Sequence, residues 1–113
     1  MPAIGFAVPI LSGKEERHRQ FLADLAGPRR EEYEAAFGGV GVTRQMVWHQ
    51  QTPDGPLAVV YMESDDIEAM MQGIASSKDS LLREFREQVK DVHGIDLASD
   101  PSPQLEQIFD DRR

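Results

Sequence analysis

Residues 40–63, VGVTRQMVWHQQTPDGPLAVVYME, decide the fold of this chain. Two runs rich in valine, methionine, tryptophan and tyrosine flank a group of turn residues, a pattern typical of a β-hairpin. Pro53 fixes the backbone at the start of the turn, and Gly55 can adopt the left-handed conformation that follows it. We therefore expect a type I turn whose three-residue connection pairs Thr52 with Pro56.

That pairing determines which side chains share a face of the hairpin. It places His49 opposite Val59 and Val47 opposite Tyr61, so that His49 lies diagonally from the Tyr61 hydroxyl. The other face carries four apolar side chains and is predicted to cover the core: Met46, Trp48, Val60 and Met62. A slip of the turn by one residue would move Tyr61 to the face of Trp48 and away from His49.

Further strand and helix signals precede and follow the hairpin. Residues 3–11 form a short apolar run that predicts a first strand, and residues 104–109 alternate enough to predict a last one. Between the first strand and the hairpin, a capping-box pattern from Ser12 to Glu15 begins a helix. Pro28 divides that helix into two pieces.

Two more helices follow the hairpin. A second capping box at Ser64 or Asp65 begins a short helix, and residues 78–93 form a longer amphipathic helix that Gly94 ends. The order β-α-β-β-α-β predicts one α+β domain over residues 1–113, of the ferredoxin-like split βαβ type. Such a domain has a four-stranded antiparallel sheet with helices on one face.

The uncovered face of that sheet predicts self-association. A monomer would expose a patch of apolar side chains there: Val47, Leu57, Val59 and Tyr61. Two sheets that pack face to face would remove the patch from water, so we expect a homodimer.

Composition excludes several classes of partner. The net charge of −8 argues against nucleic acid and anionic membranes, and the absence of cysteine excludes disulfides and thiolate chemistry. The N-terminus has neither the basic region of a signal peptide nor a membrane-spanning run, so a cytoplasmic location is expected. No spacing of acidic residues and histidines matches a zinc or calcium site, and no glycine-rich loop opens a helix, so neither a metal nor a nucleotide cofactor is indicated.

Three parts of the chain resemble the dimeric α+β-barrel superfamily, and within it a set of small bacterial proteins of unassigned function. They are SGKEER at 12–17 with RREE at 29–32, VVYMESDD at 59–66, and SKDSLLREF at 77–85. The resemblance implies a ferredoxin-like dimer. Its better-known members are cofactor-independent quinol monooxygenases, polyketide cyclases, haem-degrading monooxygenases and sugar mutarotases. Haem degraders carry a ligand histidine on the second helix, where only His93 corresponds.

His49, His18 and Tyr61 are the candidates for proton transfer. A histidine beside a tyrosine hydroxyl, with Glu63 further along the same face, can move a proton on an organic substrate. The simpler interpretation of His49 is a partly solvated histidine at a strand end or a dimer contact. His18 lies on the apolar stripe of the first helix and points toward the sheet. It can equally be a histidine at the boundary of the core.

Four residues are candidates for substrate binding. Trp48, Met46 and Met62 are expected to line the space between the sheet and the helices, although core filling explains methionines equally well. Arg44, at the start of a strand, can bind an anionic substrate. The alternative for Arg44 is a surface ion pair with the acidic residues that follow the hairpin, Asp65 or Asp66.

The sequence thus favours a small cofactor-independent enzyme of the monooxygenase, cyclase or isomerase type. It would act on an apolar or aromatic metabolite by histidine-assisted proton transfer. A non-catalytic small-molecule-binding module and a purely structural dimer are the alternatives. An open cavity edged by histidine and tyrosine would favour the enzyme or the binder, and a fully packed interior would favour the structural dimer.

Overall fold

A computed structural model describes residues 2–99 and 105–113. Within them the elements are β1 (Ala3–Pro9), α1 (Glu15–Ala26), α2 (Arg30–Gly38), β2 (Arg44–Thr52), β3 (Gly55–Glu63), α3 (Ile67–Ser76) and α4 (Ser80–His93). The strands form a three-stranded antiparallel sheet in the order β1-β3-β2. The helices pack against one face of this sheet, which makes the protein α+β.

The predicted last strand is wrong over residues 105–109, and Gln104 lies outside the described residues. This segment has no regular structure, and its apolar side chains face solvent: Leu105, Ile108 and Phe109 are 53%, 85% and 79% exposed. The alternation of apolar and polar residues suggested a strand. Alternation alone cannot supply a neighbouring strand for the backbone to bond, and the segment has none in the described part of the chain.

The hairpin turn is one residue tighter than predicted. Thr52 pairs with Gly55 instead of Pro56, which leaves Pro53 and Asp54 as a two-residue turn. The Thr52 hydroxyl donates to the Gly55 carbonyl oxygen at 2.6 Å and accepts from the Asp54 amide at 3.2 Å. Gly55 itself has a φ of 114°, a conformation that side chains disfavour. These local bonds close the turn one residue early.

The tighter turn reverses the two faces of β2. Gln45, Val47 and His49 lie on the face that the helices cover, and Met46 and Trp48 lie on the open face. Because successive side chains of a strand point to opposite faces, a shift of one residue exchanges the whole set. The predicted faces of β2 are therefore wrong, whereas those of β3 are correct.

The open face of the sheet differs accordingly from the predicted apolar patch. Leu57, Val59 and Tyr61 lie on it as expected, but Val47 packs against the buried core on the other side. Trp48 takes its place on the open face and is 49% exposed. The uncovered face thus carries a group of apolar side chains as predicted, with Trp48 in the place of Val47.

The helices occur in the predicted places but begin differently. The first helical region is divided into α1 and α2, as the proline predicted. Ser12 lies in the turn before α1 and is not its cap, because Lys14 occupies that position without a side-chain cap bond. The cap of α3 is Asp66, one or two residues beyond the predicted Asp65 or Ser64.

The core lies between α4 and the covered face of the sheet. Asp79 caps the start of α4 through bonds to two backbone amides, and Gly94 ends it with a φ of 71°, as predicted. Leu81, Leu82 and Val92 of this helix are fully buried. None of the helices in the described residues is long and apolar enough to cross a bilayer.

The contact between α3 and the start of the hairpin gives a test of the packing. A Cβ at Gly73 would lie 2.8 Å from Val40 Cβ, whereas a Cβ at Gly38 would have no neighbour within 4 Å. We expect Gly73→Ala to lower the free energy of unfolding by about 1–3 kcal/mol, because the added methyl overpacks the contact. Gly38→Ala should leave it unchanged or raise it slightly. Equal results in urea unfolding would contradict this packing.

Candidate functional site

A cavity of about 190 Å³, which we call the inner cavity, lies between the covered face of the sheet and the helices. Its wall is mainly aliphatic and aromatic, with side chains from all three strands and from α1, α3 and α4. Four polar side chains also line it: His18, Gln45, Gln88 and His93. No aspartate, glutamate, lysine or arginine is among the described residues that line this inner cavity.

The three histidines of the chain meet at one end of the inner cavity. His18 Nδ1 and His49 Nε2 are 2.8 Å apart, a hydrogen bond, and the two rings are stacked with centroids 5.0 Å apart. The His93 ring meets the His18 ring edge-on at 4.9 Å. His18 and His93 line the cavity, and His49 is connected to it through His18.

Each histidine is positioned by a different element. His18 belongs to the buried stripe of α1, together with Phe21 and Leu25. His49 points inward because the tight turn places it on the covered face of β2. His93 lies in the last turn of α4 and is buried there. The cluster therefore depends on the packing of two helices against one strand.

Ion pairs next to the cluster join the two helices. Asp91 of α4 accepts from Lys14 Nζ at 3.0 Å, and its other oxygen lies 2.7 Å from Arg17 Nε. The bond from Lys14 lowers the pKa of Asp91, so this carboxylate stays ionised. Since these pairs are partly exposed, we assign them a role in orientation rather than a large share of stability.

The environment keeps His18 neutral. The pKa of His18 is lowered from 6.5 to about 4, chiefly by burial and in smaller part by the adjacent His93 and His49. A hydrogen bond between two imidazoles needs one N–H donor and one bare nitrogen, and the neutral His18 ring can take either part. His18 Nε2 has no hydrogen-bond partner in the described part of the chain and is the nitrogen left for a ligand.

The tautomer of His93 follows from its backbone contact. His93 Nδ1 lies 2.8 Å from the carbonyl oxygen of Pro9, and a carbonyl oxygen can only accept. Nδ1 therefore carries the proton. Burial lowers the pKa of His93, and the bond to Pro9 opposes this only in part, so the ring is neutral with Nε2 as a bare acceptor.

Two carboxamides supply the other polar groups of the inner cavity. Gln88 Oε1 is buried without a hydrogen-bond partner among the described residues. An unpaired buried carbonyl of this kind costs about 1–3 kcal/mol. Gln45 Oε1 accepts from the Tyr33 hydroxyl at 3.0 Å, and burial raises the pKa of Tyr33, so this phenol stays protonated.

A second cavity of about 490 Å³ adjoins the first, between α1, α2 and β2. Four residues line both cavities: Leu22, Gln45, Val47 and Phe85. The Tyr33 side chain that bonds Gln45 lines only this outer cavity. Arg30 and Glu34 line it too, but they form an ion pair with each other at 2.7 Å.

The structure brings together only part of the predicted site. His18 and His49 are in contact, but Tyr61 lies on the open face and donates its hydroxyl proton to Glu63 Oε2 at 2.5 Å. The predicted pairing of His49 with Tyr61 is therefore corrected, because the tighter turn separates the two residues. Trp48 and Met46 also lie on the open face, outside the space that they were expected to line.

The other two predicted binding residues have different positions. Met62 lines the inner cavity, as expected. Arg44 borders the outer cavity, but its guanidinium lies on the open face, where Nη2 contacts Met46 Sδ at 3.5 Å. Its nearest carboxylate is Glu63, at 3.9 Å, and not the predicted Asp65 or Asp66.

Sequence reasoning missed His93, Gln88, Gln45 and Tyr33 as cavity residues. A signal for the first two was present, because Gln88 and His93 continue the buried stripe of α4 at helical spacing. The role of Gln45 depended on the register of the hairpin. No pattern indicated that Tyr33 would reach across to the strand.

No protein-family model, curated protein or solved structure matches the chain. In the described residues, no group of three or more histidines, aspartates or glutamates is arranged to hold a metal ion. The arrangement can accept and pass on a proton, because the bare Nε2 of His93 and the neutral ring of His18 border an uncharged cavity. It can also orient an apolar molecule through the two carboxamides.

The lowered pKa of His18 predicts a specific loss of stability in acid. Since the folded pKa lies below that of the unfolded chain, the unfolded state binds more protons as pH falls from 6.5 toward 4, and stability is lost through that window. Between pH 6.5 and about pH 4.5 the wild type should lose about 2 kcal/mol more than His18→Gln. Urea unfolding at both pH values measures the difference, and equal losses would contradict a buried neutral His18.

Proposed function

We propose that this protein is a small cofactor-independent enzyme that transfers a proton on a neutral, apolar or aromatic metabolite. The single observation that carries this function is the 2.8 Å bond between His18 Nδ1 and His49 Nε2 at the wall of an uncharged cavity. A general base must present a bare nitrogen to its substrate at working pH. A lowered pKa keeps the His18 ring in that state.

The two imidazoles act as a relay in this mechanism. His18, protonated on Nδ1, donates to His49 Nε2 and offers its bare Nε2 to an acidic C–H or O–H of the substrate. When Nε2 accepts that proton, the Nδ1 proton moves toward His49, so that the positive charge leaves the apolar cavity. Return of the proton to another atom of the same substrate completes an isomerisation or a cyclisation. No electrons are transferred.

The dimensions and polarity of the cavity set the class of substrate. Cavities of roughly 150 Å³ bind benzene when their walls are apolar. The inner cavity, at about 190 Å³, suits one ring with a small substituent. An ion would enter without a counter-charge, because the described lining carries none. A neutral ring with an enolisable or phenolic group meets both conditions.

Exchange of carbon-bound hydrogen tests the chemistry directly. Phenylacetone carries a single ring and acidic α-hydrogens, and we expect the protein to accelerate their replacement by deuterium in D₂O, followed by NMR. His18→Gln should slow the catalysed exchange by about a hundredfold or more, because the base is lost. His49→Gln should reduce the rate less, because the base remains and only the relay is weakened.

Tyr61→Phe provides the matched control, since Tyr61 lies on the open face and should not affect exchange. Equal exchange in His18→Gln and the wild type would refute the proposed function. Phenylacetone that binds, with an NMR-detected affinity, but never exchanges would identify a non-catalytic binder instead.

The open face of the sheet supports a homodimer as the working assembly. Leu57, Val59, Tyr61 and Trp48 form a continuous apolar surface that no described helix covers. Val59 pairs with Trp48 across the two strands, and exposed apolar groups of this kind are often functional. A second copy of the same face would cover it with a symmetric contact.

The dimeric α+β-barrel assignment belongs to the same proposal. The order β1-β3-β2, with helices on one face, agrees with three strands of a split βαβ sheet. The resemblance of the segments around residues 12–17, 59–66 and 77–85 supports the assignment independently of the strand order.

Sedimentation at micromolar concentration tests the dimer. The wild type should sediment at twice the 12.7 kDa of one chain, and Trp48→Glu should sediment as a single chain, because it places a charge in the apolar contact. Gln20→Glu adds the same charge on an exposed position of α1 and should not dissociate the dimer. A wild type of 12.7 kDa would contradict the proposed assembly.

A further inference from the structure

The inner and outer cavities meet at a narrow region of side chains. Leu22 of α1, Val47 of β2 and Phe85 of α4 line both. All three are apolar and half-buried, so small rotations of these side chains can join the two spaces. The fourth shared residue, Gln45, is the polar group at this junction.

A hydrogen bond lies at the junction. The Tyr33 hydroxyl, from the outer cavity, donates to Gln45 Oε1 at 3.0 Å. Gln45 is four residues before His49 on the same face of β2, which corresponds to about 13 Å along the strand. A ligand that extends from the histidines past Gln45 therefore reaches the Tyr33 hydroxyl.

The charges around the outer cavity are already paired or directed elsewhere. Arg30 and Glu34 bond each other at 2.7 Å, and the guanidinium of Arg44 lies on the open face of the sheet beside Met46. The groups that remain for a ligand are neutral hydrogen-bonding groups, the phenol of Tyr33 and the carboxamide of Gln45. They suit a ketone or hydroxyl oxygen better than an anion.

We infer that the two cavities form one elongated site for a neutral molecule of two parts. Its ring occupies the inner cavity beside His18 and His93, and its oxygen-bearing second part extends into the outer cavity. There the Gln45 carboxamide donates from Nε2 to the ligand oxygen, while the Tyr33 hydroxyl keeps its bond to Oε1 and holds that carboxamide in place. This inference rests on the proposed function for the role of the inner cavity, and it identifies Tyr33 as a positioning residue that acts through Gln45.

Two probes separate the two halves of the site. Toluene fills only the inner cavity, whereas benzylacetone adds a ketone on a short chain. Their affinities are measured by NMR titration of the full chain. We expect Tyr33→Phe to weaken the binding of benzylacetone about fivefold, because the Gln45 carboxamide is no longer held toward the ligand and its hydrogen bond is lost, and to leave the binding of toluene unchanged. Tyr61→Phe removes the same hydroxyl from the open face and should change neither affinity.

A second pair of variants tests whether the outer cavity holds part of the ligand. Ala26 is exposed and lines only the outer cavity, and Ala23, on the same helix, is exposed and lines neither. Ala26→Trp should weaken the binding of benzylacetone by about tenfold or more, because the indole fills part of the outer cavity, and should leave the binding of toluene unchanged. Ala23→Trp should affect neither probe. Both positions are on the surface, so the variants fold, which circular dichroism verifies.

The outcomes separate this inference from the proposed function. If toluene binds the wild type, but Tyr33→Phe and Ala26→Trp leave benzylacetone unchanged, the elongated site is refuted and the inner site stands. If either variant weakens the binding of both probes equally, the elongated site is also refuted, because the two halves of the site are then not distinct. If toluene does not bind the wild type, the inner cavity is not a ligand site, and both proposals fail.

Discussion

The hydroxyl of Thr52 decides which way β2 faces. It accepts from the Asp54 amide and donates to the Gly55 carbonyl oxygen, and these two bonds close the hairpin with a two-residue turn. Strand pairing then continues in that register to the far end of the hairpin. A turn one residue longer would place His49 in solvent and Trp48 in the core. The histidine cluster and both cavities follow from this local constraint.

The inward position of His49 has a chemical consequence because His18 already lies opposite it. Two imidazoles at this separation repel each other when both are charged, and burial keeps the His18 ring neutral. His93, held by the Pro9 carbonyl, adds a further neutral ring of known tautomer. An uncharged cavity bordered by ring nitrogens is suited to neutral substrates and to proton transfer. The packing of the core that buries these rings therefore also provides the conditions for the proposed chemistry.

The sequence predicted what depends on local patterns. The division of the first helical region at Pro28, the buried stripe of α4 and its end at Gly94, and the strands of the hairpin were all correct. It failed where a long-range choice between similar local structures was needed. Thr52 can close a turn of either length, and the bonds of its hydroxyl together with the packing of Val47 against the core favour the shorter one. The prediction of a last strand failed for a related reason, since the alternation of apolar and polar residues at 105–109 does not specify a partner strand. The periodicity of the helices indicated the side chains that α1 and α4 contribute to the site. The side chains from β2 could be placed only once the register of the hairpin was known.

Long-range ¹H–¹⁵N spectra of the histidine rings at neutral pH test the central claim most directly, because they report which ring nitrogens carry protons. We predict that His18 is neutral, with one proton between His18 Nδ1 and His49 Nε2, and that His93 is protonated on Nδ1 alone. A charged imidazolium at His18, or protons on both facing nitrogens, would contradict the account.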